Sequence, residues 1–370
     1  MPKNRVIYQS EALFAGPDLG TVPQGVSGSH AANYIKQIQR VQSCNYSFNV
    51  DRQDVNQFGE LAAIDRVILS SPTVSLDFQY LVANIVNEKN LGFTISNGSY
   101  VSAITGILGK VSDERNYFIK TVSEGVDALG VATSATNQSV IGIGNGFITN
   151  YTAEGSVGNF PTASVTIEAL NMNVDNSASG FALPAVNPVD GSIVNKTGIL
   201  PVAATNAGAD SVTALRPGDV TITIIKNGGA GLPSDYLGAS IVDAKIQSYN
   251  ISLDLARTPL EKLGSKFAFS REIDFPLEVT FSIDANLGDL TTGNLADLVN
   301  SDSNYDLSVS IKNPTTSTVQ ALYHLKKAKL TSQDFSSSIG DNKSVSLNWS
   351  SQIGGPSQTD VGFFLSGVSA

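Results

Sequence analysis

Part of this chain is written twice, and that restricts its architecture more than any motif does. Laying Arg40 onto Lys245, a shift of 205 positions, aligns residues 40–78 with 245–283 without a gap. Identities fall at Gln42/Gln247, Ser43/Ser248, Asn45/Asn250, Ser47/Ser252, Arg52/Arg257, Gly59/Gly264, Arg66/Arg271 and Val74/Val279. Apolar character is kept at Val41/Ile246, Phe48/Leu253, Val50/Leu255, Val55/Leu260 and Phe58/Leu263, so both copies offer the same face to a core. Further matches follow in order: Asn116-Tyr117 with Asn304-Tyr305, Phe147-Ile-Thr with Lys329-Leu-Thr, Val157-Gly-Asn with Ile339-Gly-Asp, and Ser164-Val-Thr-Ile with Ser344-Val-Ser-Leu. Asp219–Lys226 and Asp360–Ser366 are expected to supply the closing strand of each copy. The expected organisation is a first domain over 1–232 and a second over 233–370.

Within each copy the pattern has period two. Val41–Val50, Val74–Phe78, Ser164–Glu168, Val220–Ile224 and Ser344–Asn348 all alternate apolar with polar residues, as half-buried strands do. Helical spacing is confined to short stretches near Asp54–Ala63, Val101–Leu108 and Asn294–Val299. The expected fold is mainly β: two tandem β-sandwich or barrel domains, each with a short helix and a long connection between early strands. The segment at about 175–217 is rich in Gly, Pro, Asn and Ser and weakly periodic, and reads as an insertion in the first copy. A loop of that length is expected to pack on something, such as another subunit.

The early connection is the part whose chemistry is duplicated. Arg52 and Arg257 open it, Phe58-Gly59 and Leu263-Gly264 sit in its middle, and Arg66 and Arg271 lie before the next strand. Glycine in the middle suits a positive φ or a close backbone approach. The connection is longer than a tight hairpin needs, which points to an interaction element.

These residues resemble the tail tube proteins of long-tailed bacteriophages. The resemblance is carried by 41–59, by Ile64-Asp-Arg with Pro72-Thr-Val-Ser-Leu, and by the second copy over 246–281. It covers both copies but not the 175–217 segment. It implies a β-sandwich flanked by a helix in each domain, six domains to a ring, and stacked rings forming a hollow tube that passes DNA without holding it. A duplicated member implies three chains in a pseudo-hexameric ring. The stacking element maps onto Asp51–Ile64 and Ala256–Phe269, with Arg52, Asp54, Phe58, Gly59, Arg66, Arg257, Leu263, Gly264 and Arg271 as interface candidates. The implied partners are further copies of the chain and other tail proteins (tape measure, terminator or neck, distal tail). The implied location is the virion tail, after assembly in the host bacterial cytoplasm.

Composition agrees with that implication and removes alternatives. Charged residues are 15 % of the chain, and 23 basic against 33 acidic residues leave a formal net charge of −10. Phosphate binding is driven by Lys and Arg displacing counterions, so such a surface suits a channel wall and argues against a nucleic-acid-binding arm. An assembled ring is therefore expected to have a mainly acidic inner surface. One cysteine, Cys44, excludes a disulfide framework and a cysteine-based zinc site, and His30 and His324 are too far apart in sequence to suggest a cluster. The first residues lack an apolar signal core and no stretch reaches a membrane-spanning length, so a soluble chain made in a reducing cytoplasm is expected.

Individual motifs favour ordinary structure over chemistry. Gly142-Ile-Gly-Asn-Gly146 departs from a dinucleotide fingerprint, because Phe147 stands where a further glycine would and a strand pattern follows. Asp302-Ser-Asn-Tyr-Asp306 has early calcium-loop spacing but Leu307 at the sixth position. His324 reads as a surface or interface histidine, Trp349 as a core or interface anchor, and Lys326, Lys327 and Lys329 as partners for acidic groups across subunits. No metal, cofactor or catalytic constellation is indicated, and the chain is not expected to be an enzyme. The alternative reading is a β-sandwich binding module, such as a capsid-decoration, fibre or carbohydrate-binding protein.

Overall fold

The computed structural model describes residues 11–17, 35–96, 100–108, 114–129, 138–176, 181–193, 197–198, 200, 215–226, 245–288, 295–296 and 303–368. The fold is mainly β. The strands are β1 (Glu11–Pro17), β2 (Lys36–Gln37), β3 (Val41–Asn49), β4 (Arg52–Val55), β5 (Asp65–Ile68), β6 (Thr73–Leu81), β7 (Arg115–Val122), β8 (Gln138–Ser156), β9 (Thr162–Ala169), β10 (Asn171–Asp175), β11 (Phe181–Ala182) and β12 (Thr197–Gly198). They continue as β13 (Val220–Lys226), β14 (Lys245–Asp254), β15 (Arg257–Leu260), β16 (Ser270–Ile273), β17 (Glu278–Asn286), β18 (Tyr305–Lys312), β19 (Val319–Ser336), β20 (Ser344–Gln352) and β21 (Gly362–Gly367). Among the described residues an α-helix, α1 (Val86–Leu91), and 3-10 turns at Ala103–Ile107 and Pro217–Asp219 interrupt them. Among the described residues no helix is long and apolar enough to cross a membrane.

The strand pairing of the first half recurs in the second, down to its irregularities. β3 pairs with β6 with a bulge between Val41 and Ser43, and β14 pairs with β17 with a bulge between Ile246 and Ser248. β8 pairs with β9, bulging between Ile148 and Asn150, while β19 pairs with β20, bulging between Leu330 and Ser332. The two long strands each contain one residue at positive φ, Asn145 (54°) and Lys327 (54°). The backbone N–H of each donates to a side-chain oxygen on the neighbouring strand, Asn116 Oδ1 at 3.3 Å and Asp306 Oδ1 at 3.1 Å. Each half is thus a two-layer sandwich. The front of β8 or β19 lies in an outer layer with β7 and β10 or β18 and β21, and its rear crosses into an inner layer.

Side-chain burial follows the alternation. Val74, Leu76, Phe78 and Tyr80 on β6, and Val279, Phe281, Ile283 and Ala285 on β17, face the core, while the residues between them face solvent or a polar surface. Removing these apolar side chains from water is the main stabilising contribution. Trp349 is buried beside Phe281, ring centroids 5.8 Å apart, as a core anchor.

Five sequence expectations are corrected. Asp54–Ala63 is not helical: Arg52–Val55 pairs with Asp65–Ile68 as a hairpin, because the local spacing also allows a strand and the pairing satisfies the backbone. Val220–Lys226 does not close the first copy; it pairs with β18 of the second, where β1 pairs with β7 in the first, and β10 closes the first copy. Asn116 corresponds to Asp306 rather than Asn304, as their shared bulge contact shows, and Thr162 rather than Ser164 corresponds to Ser344. Lys327 pairs with Asp360 of its own chain rather than with a neighbouring subunit, and Lys326 Nζ lies 3.3 Å from the Tyr100 ring centre. The boundary expected at 232/233 falls outside the described residues, as do most of 175–217, most of Asn294–Val299, and His30.

The described part of the inserted segment packs on its own chain. Phe181, Leu183, Ala185 and Val186 are buried, and Val186 N–H donates to Asn145 Oδ1 at 2.8 Å. Gly142 and Gly144 are strand residues that let this strap lie against β8. A Cβ on Gly144 would stand 2.3 Å from the Pro184 carbonyl oxygen. Gly144→Ala is therefore expected to cost about 1–3 kcal/mol of stability, since backbone must shift. Urea unfolding with limited proteolysis across 181–193 checks this; unchanged values in both would count against it.

Candidate assembly surfaces

The inner layers of the two halves join edge to edge. β14 pairs antiparallel with the rear of β8, from Ser248 opposite Ser156 to Asp254 opposite Asn150. One wall of eight strands results, in the order β3-β6-β9-β8-β14-β17-β20-β19. Its core face is apolar. Its other face carries alternate residues from Ser43 to Asn49, Thr73 to Leu81, Thr162 to Glu168, Asn150 to Ser156, Ser248 to Asp254, Glu278 to Asn286, Ser344 to Gln352 and Ser332 to Ser336. Seven of these positions are carboxylates, Asp77, Glu154, Glu168, Asp254, Glu278, Asp284 and Asp334, and the same face carries Lys245 opposite Asn286 and Lys329 opposite Ser350 at its rims. Neighbouring hydroxyls and amides bond across the strands, as in Ser47 Oγ to Ser75 Oγ (2.9 Å), Ser248 Oγ to Asp284 Oδ2 (2.8 Å) and Asn348 Nδ2 to Ser332 Oγ (2.8 Å).

Two hairpin arms rise from one rim of this wall. β3 and β14 run in the same direction, because four antiparallel steps separate them, and each leads directly into an arm, β4–β5 or β15–β16. Gly59 (φ 93°) and Gly264 (φ 85°) turn the tips with open space around them, as their placement in the sequence suggested. Phe58, Leu61 and Leu263 are fully exposed at those tips, and Val55, Ile64, Val67, Ile68 and Leu69 are exposed along the first arm. A two-stranded hairpin with bare apolar side chains gains little on its own, and clustered exposed apolar groups mark contact sites. The opposite rim carries the β8–β9 and β19–β20 turns, with Val157, Phe160 and Ile339 exposed.

The candidate residues separate into two sets. In the second arm Arg271 is buried and forms an ion pair with Glu168 of the first half. Arg257 Nη1 donates to the Arg271 carbonyl at 2.9 Å, and the Arg257 guanidinium carbon lies 4.9 Å from the centre of the Phe147 ring, also in the first half. Ser265 and Phe267 further bond the strap at Pro188. In the first arm Arg66 instead pairs with Asp54 of the same hairpin at 2.6 Å, both exposed, and Arg52 is exposed. The repeated arginines thus pin one arm to the rest of the chain and leave the other projecting. The pairing explains this: β14 lies beside β8, which carries Phe147 and pairs with the Glu168-bearing β9, whereas among the described residues β3 is the outermost strand of the wall and pairs with β6 alone.

The sequence reading missed the buried link between halves. Glu88 of α1 is fully buried, and its Oε1 accepts hydrogen bonds from Tyr80 (2.9 Å), Tyr151 (2.9 Å) and, from the second half, Tyr323 (3.3 Å). Burial raises the carboxyl pKa, which the tyrosine donors partly offset. A Glu in a six-residue helix, with Asn87, Lys89 and Asn90 beside it, gives no sequence signal of burial. His324 is half-buried on β19 with its ring 5.3 Å from Tyr100, and burial lowers its pKa.

No protein-family model matches the chain, and no curated protein does. Among solved structures, one similar chain belongs to the cryo-EM structure of the anti-feeding prophage (AFP) baseplate, 6-fold symmetrised. It is 13 % identical over 41 % of this chain and 94 % of that chain, with a TM-score of 0.25.

Proposed function

We propose that this is a non-enzymatic structural subunit of a phage-type tail, whose eight-stranded wall curves into a ring and whose rings stack into a hollow tube for DNA. The observation that carries the reading is the wall's exposed face, dense in Ser, Thr, Asn and carboxylates, with Lys245 and Lys329 at its rims as the only cations among its described strand positions. With seven carboxylates against two lysines, such a face repels phosphate and offers a sliding duplex few cationic contacts. Three chains would contribute about 24 strands, which at ~4.8 Å spacing and ~40° tilt make a wall roughly 150 Å around. In this reading the second repeat opens with Val220–Lys226, and the exposed arms of one ring meet the turn-bearing rim of the next. Arg52, Asp54, Phe58, Gly59 and Arg66 are then stacking residues of the first arm, and Arg257, Leu263, Gly264 and Arg271 of the second. Other tail proteins meet the ends of the tube.

Negative-stain microscopy and mass measurement of the purified chain test this. Rings with a mass three times the 38.8 kDa chain, or tubes stacked from such rings, are expected; a monomer under all conditions would overturn the reading, and a ring of six chains would remove its threefold form. Charge supplies a second test. Converting Asp77, Glu154 and Asp284 to Lys is expected to leave assembly intact and make the rings hold duplex DNA. Affinity should fall at least ~10²-fold between ~50 and ~200 mM salt, against no retention by the parent. Filter binding reads this, and equal retention by both proteins would place the face away from DNA.

A further inference from the structure

The seam that joins the halves is made once inside the chain, and its two components are left open at the chain's outer edges. In the seam, β14 meets the rear of β8. The counterparts are β3 and the rear of β19. Along these stretches, among the described residues, β3 pairs with β6 alone and 332–336 with β20 alone. Resting on the assembly proposed above, we infer that β3 of one copy pairs with the rear of β19 of the next in the register of the internal seam. Ser43 then lies opposite Ser338, Asn45 opposite Ser336, Ser47 opposite Asp334 and Asn49 opposite Ser332 of the neighbouring copy.

Three observations carry the register. The first is burial. Leu253 and Leu255 are fully buried in the internal seam, whereas their counterparts Phe48 and Val50 are 63 % exposed and half-buried. Across the seam, Ala153 is fully buried and its counterpart Phe335 is 40 % exposed. The bare groups on both edges are those the internal seam covers.

The second is the turn beyond β19. Val157 N–H donates to the Gln247 carbonyl at 2.8 Å, just past the end of the internal pairing. The matching Ile339 is fully exposed in a turn of the same build. Gly340 has φ 95° where Gly158 has 87°, and Asp341 N–H donates to Ser338 as Asn159 N–H does to Ser156, both at 3.1 Å. The donor that would reach Gln42 of the next copy is already in place.

The third is edge chemistry. Natural sheet edges are guarded by Lys, Pro or strong irregularity. Val41–Asn49 contains neither Lys nor Pro, and Ser332–Ser336 carries Asp334 as its sole charge. These are edges built to be paired. The pairing is head to tail, since the two edges differ, so it closes into a ring or runs on as a filament.

Disulfide trapping tests the register. Leu255 N–H to Thr149 O and Val157 N–H to Gln247 O fix the hydrogen-bonded positions of the internal seam. Ser252 and Thr152 therefore form a non-hydrogen-bonded pair, with Cα atoms about 4.5 Å apart, within disulfide range. Their counterparts between copies are Ser47 and Asp334. Starting from Cys44→Ser, which removes the only cysteine, the pair Ser47→Cys with Asp334→Cys is oxidised under native conditions. A ladder of covalent oligomers is expected on a non-reducing gel. Ser47→Cys with Ser332→Cys, two positions out of register, is expected to give at least tenfold less. Ser252→Cys with Thr152→Cys is the control for oxidation and folding, and gives a monomer of altered mobility. Rings or tubes in micrographs with equal or greater linking from the out-of-register pair would overturn the register while leaving the assembly reading intact. Micrographs showing only monomers would overturn both.

Discussion

Replacing Phe58 and Leu61 with aspartate will leave the fold intact and stop rings from stacking. Both side chains are fully exposed at the tip of the first arm, so their removal deprives the core of nothing; surface changes of this kind shift stability by about 0.5 kcal/mol or less. Each aspartate brings charge into a contact that needs desolvated apolar groups, and two per arm in every chain of a ring compound the loss. Micrographs should show single rings where the parent forms tubes, with thermal unfolding unchanged. Tubes of normal length from the double variant would remove the first arm from the stacking contact. The parallel change Leu263→Asp should have a smaller effect, because the second arm is held by Arg271–Glu168 and by the strap at Pro188.

Removing the carboxylate at position 88 will have the largest effect on stability. Glu88→Ala leaves Tyr80, Tyr151 and Tyr323 without their common acceptor in a fully buried site, at a cost of about 3 kcal/mol or more. The pH dependence has a definite sign. Burial raises the folded pKa above 4.5, so between that value and the folded one the native state holds a proton that the unfolded chain has released. This contribution to stability is full below 4.5 and is lost as pH rises through the folded pKa. Glu88→Gln keeps an acceptor and cannot ionise, so its stability relative to the parent should increase from acid to neutral pH. Denaturant unfolding at several pH values checks this. A constant difference across the range would show that Glu88 does not titrate between the two states.

Duplication and strand class were legible because both depend on the positions of apolar side chains, and alternation reports these directly. The 205-position match held through the bulges of β3 and β14. Details that alternation leaves undetermined were not legible. A shift of two residues puts every side chain on the same face, so the pattern could not separate Asn304 from Asp306 as the partner of Asn116, nor Ser164 from Thr162 as that of Ser344. The side-chain oxygen that each bulge requires decides the first. Val220–Lys226 reads as a strand in either copy, and only its pairing with β18 assigns it. Of the nine interface candidates, Gly59 and Gly264 were predictable from turn chemistry. That Arg257 and Arg271 would be buried and Arg52 and Arg66 exposed depends on Phe147 and Glu168, which lie more than a hundred residues away in the sequence from Arg257 and Arg271.

The unequal arms have a consequence for how successive layers could fit together. In the three-chain ring proposed above, six arms alternating between a braced form and a free one make a rim with threefold, not sixfold, symmetry. Turning such a layer by a sixth of a turn exchanges unlike arms, whereas a third of a turn restores the pattern. Adjacent layers of such a tube would be keyed, and the angular step along the axis would be a property that the two arm sequences encode and that mutation of one arm alone could reset.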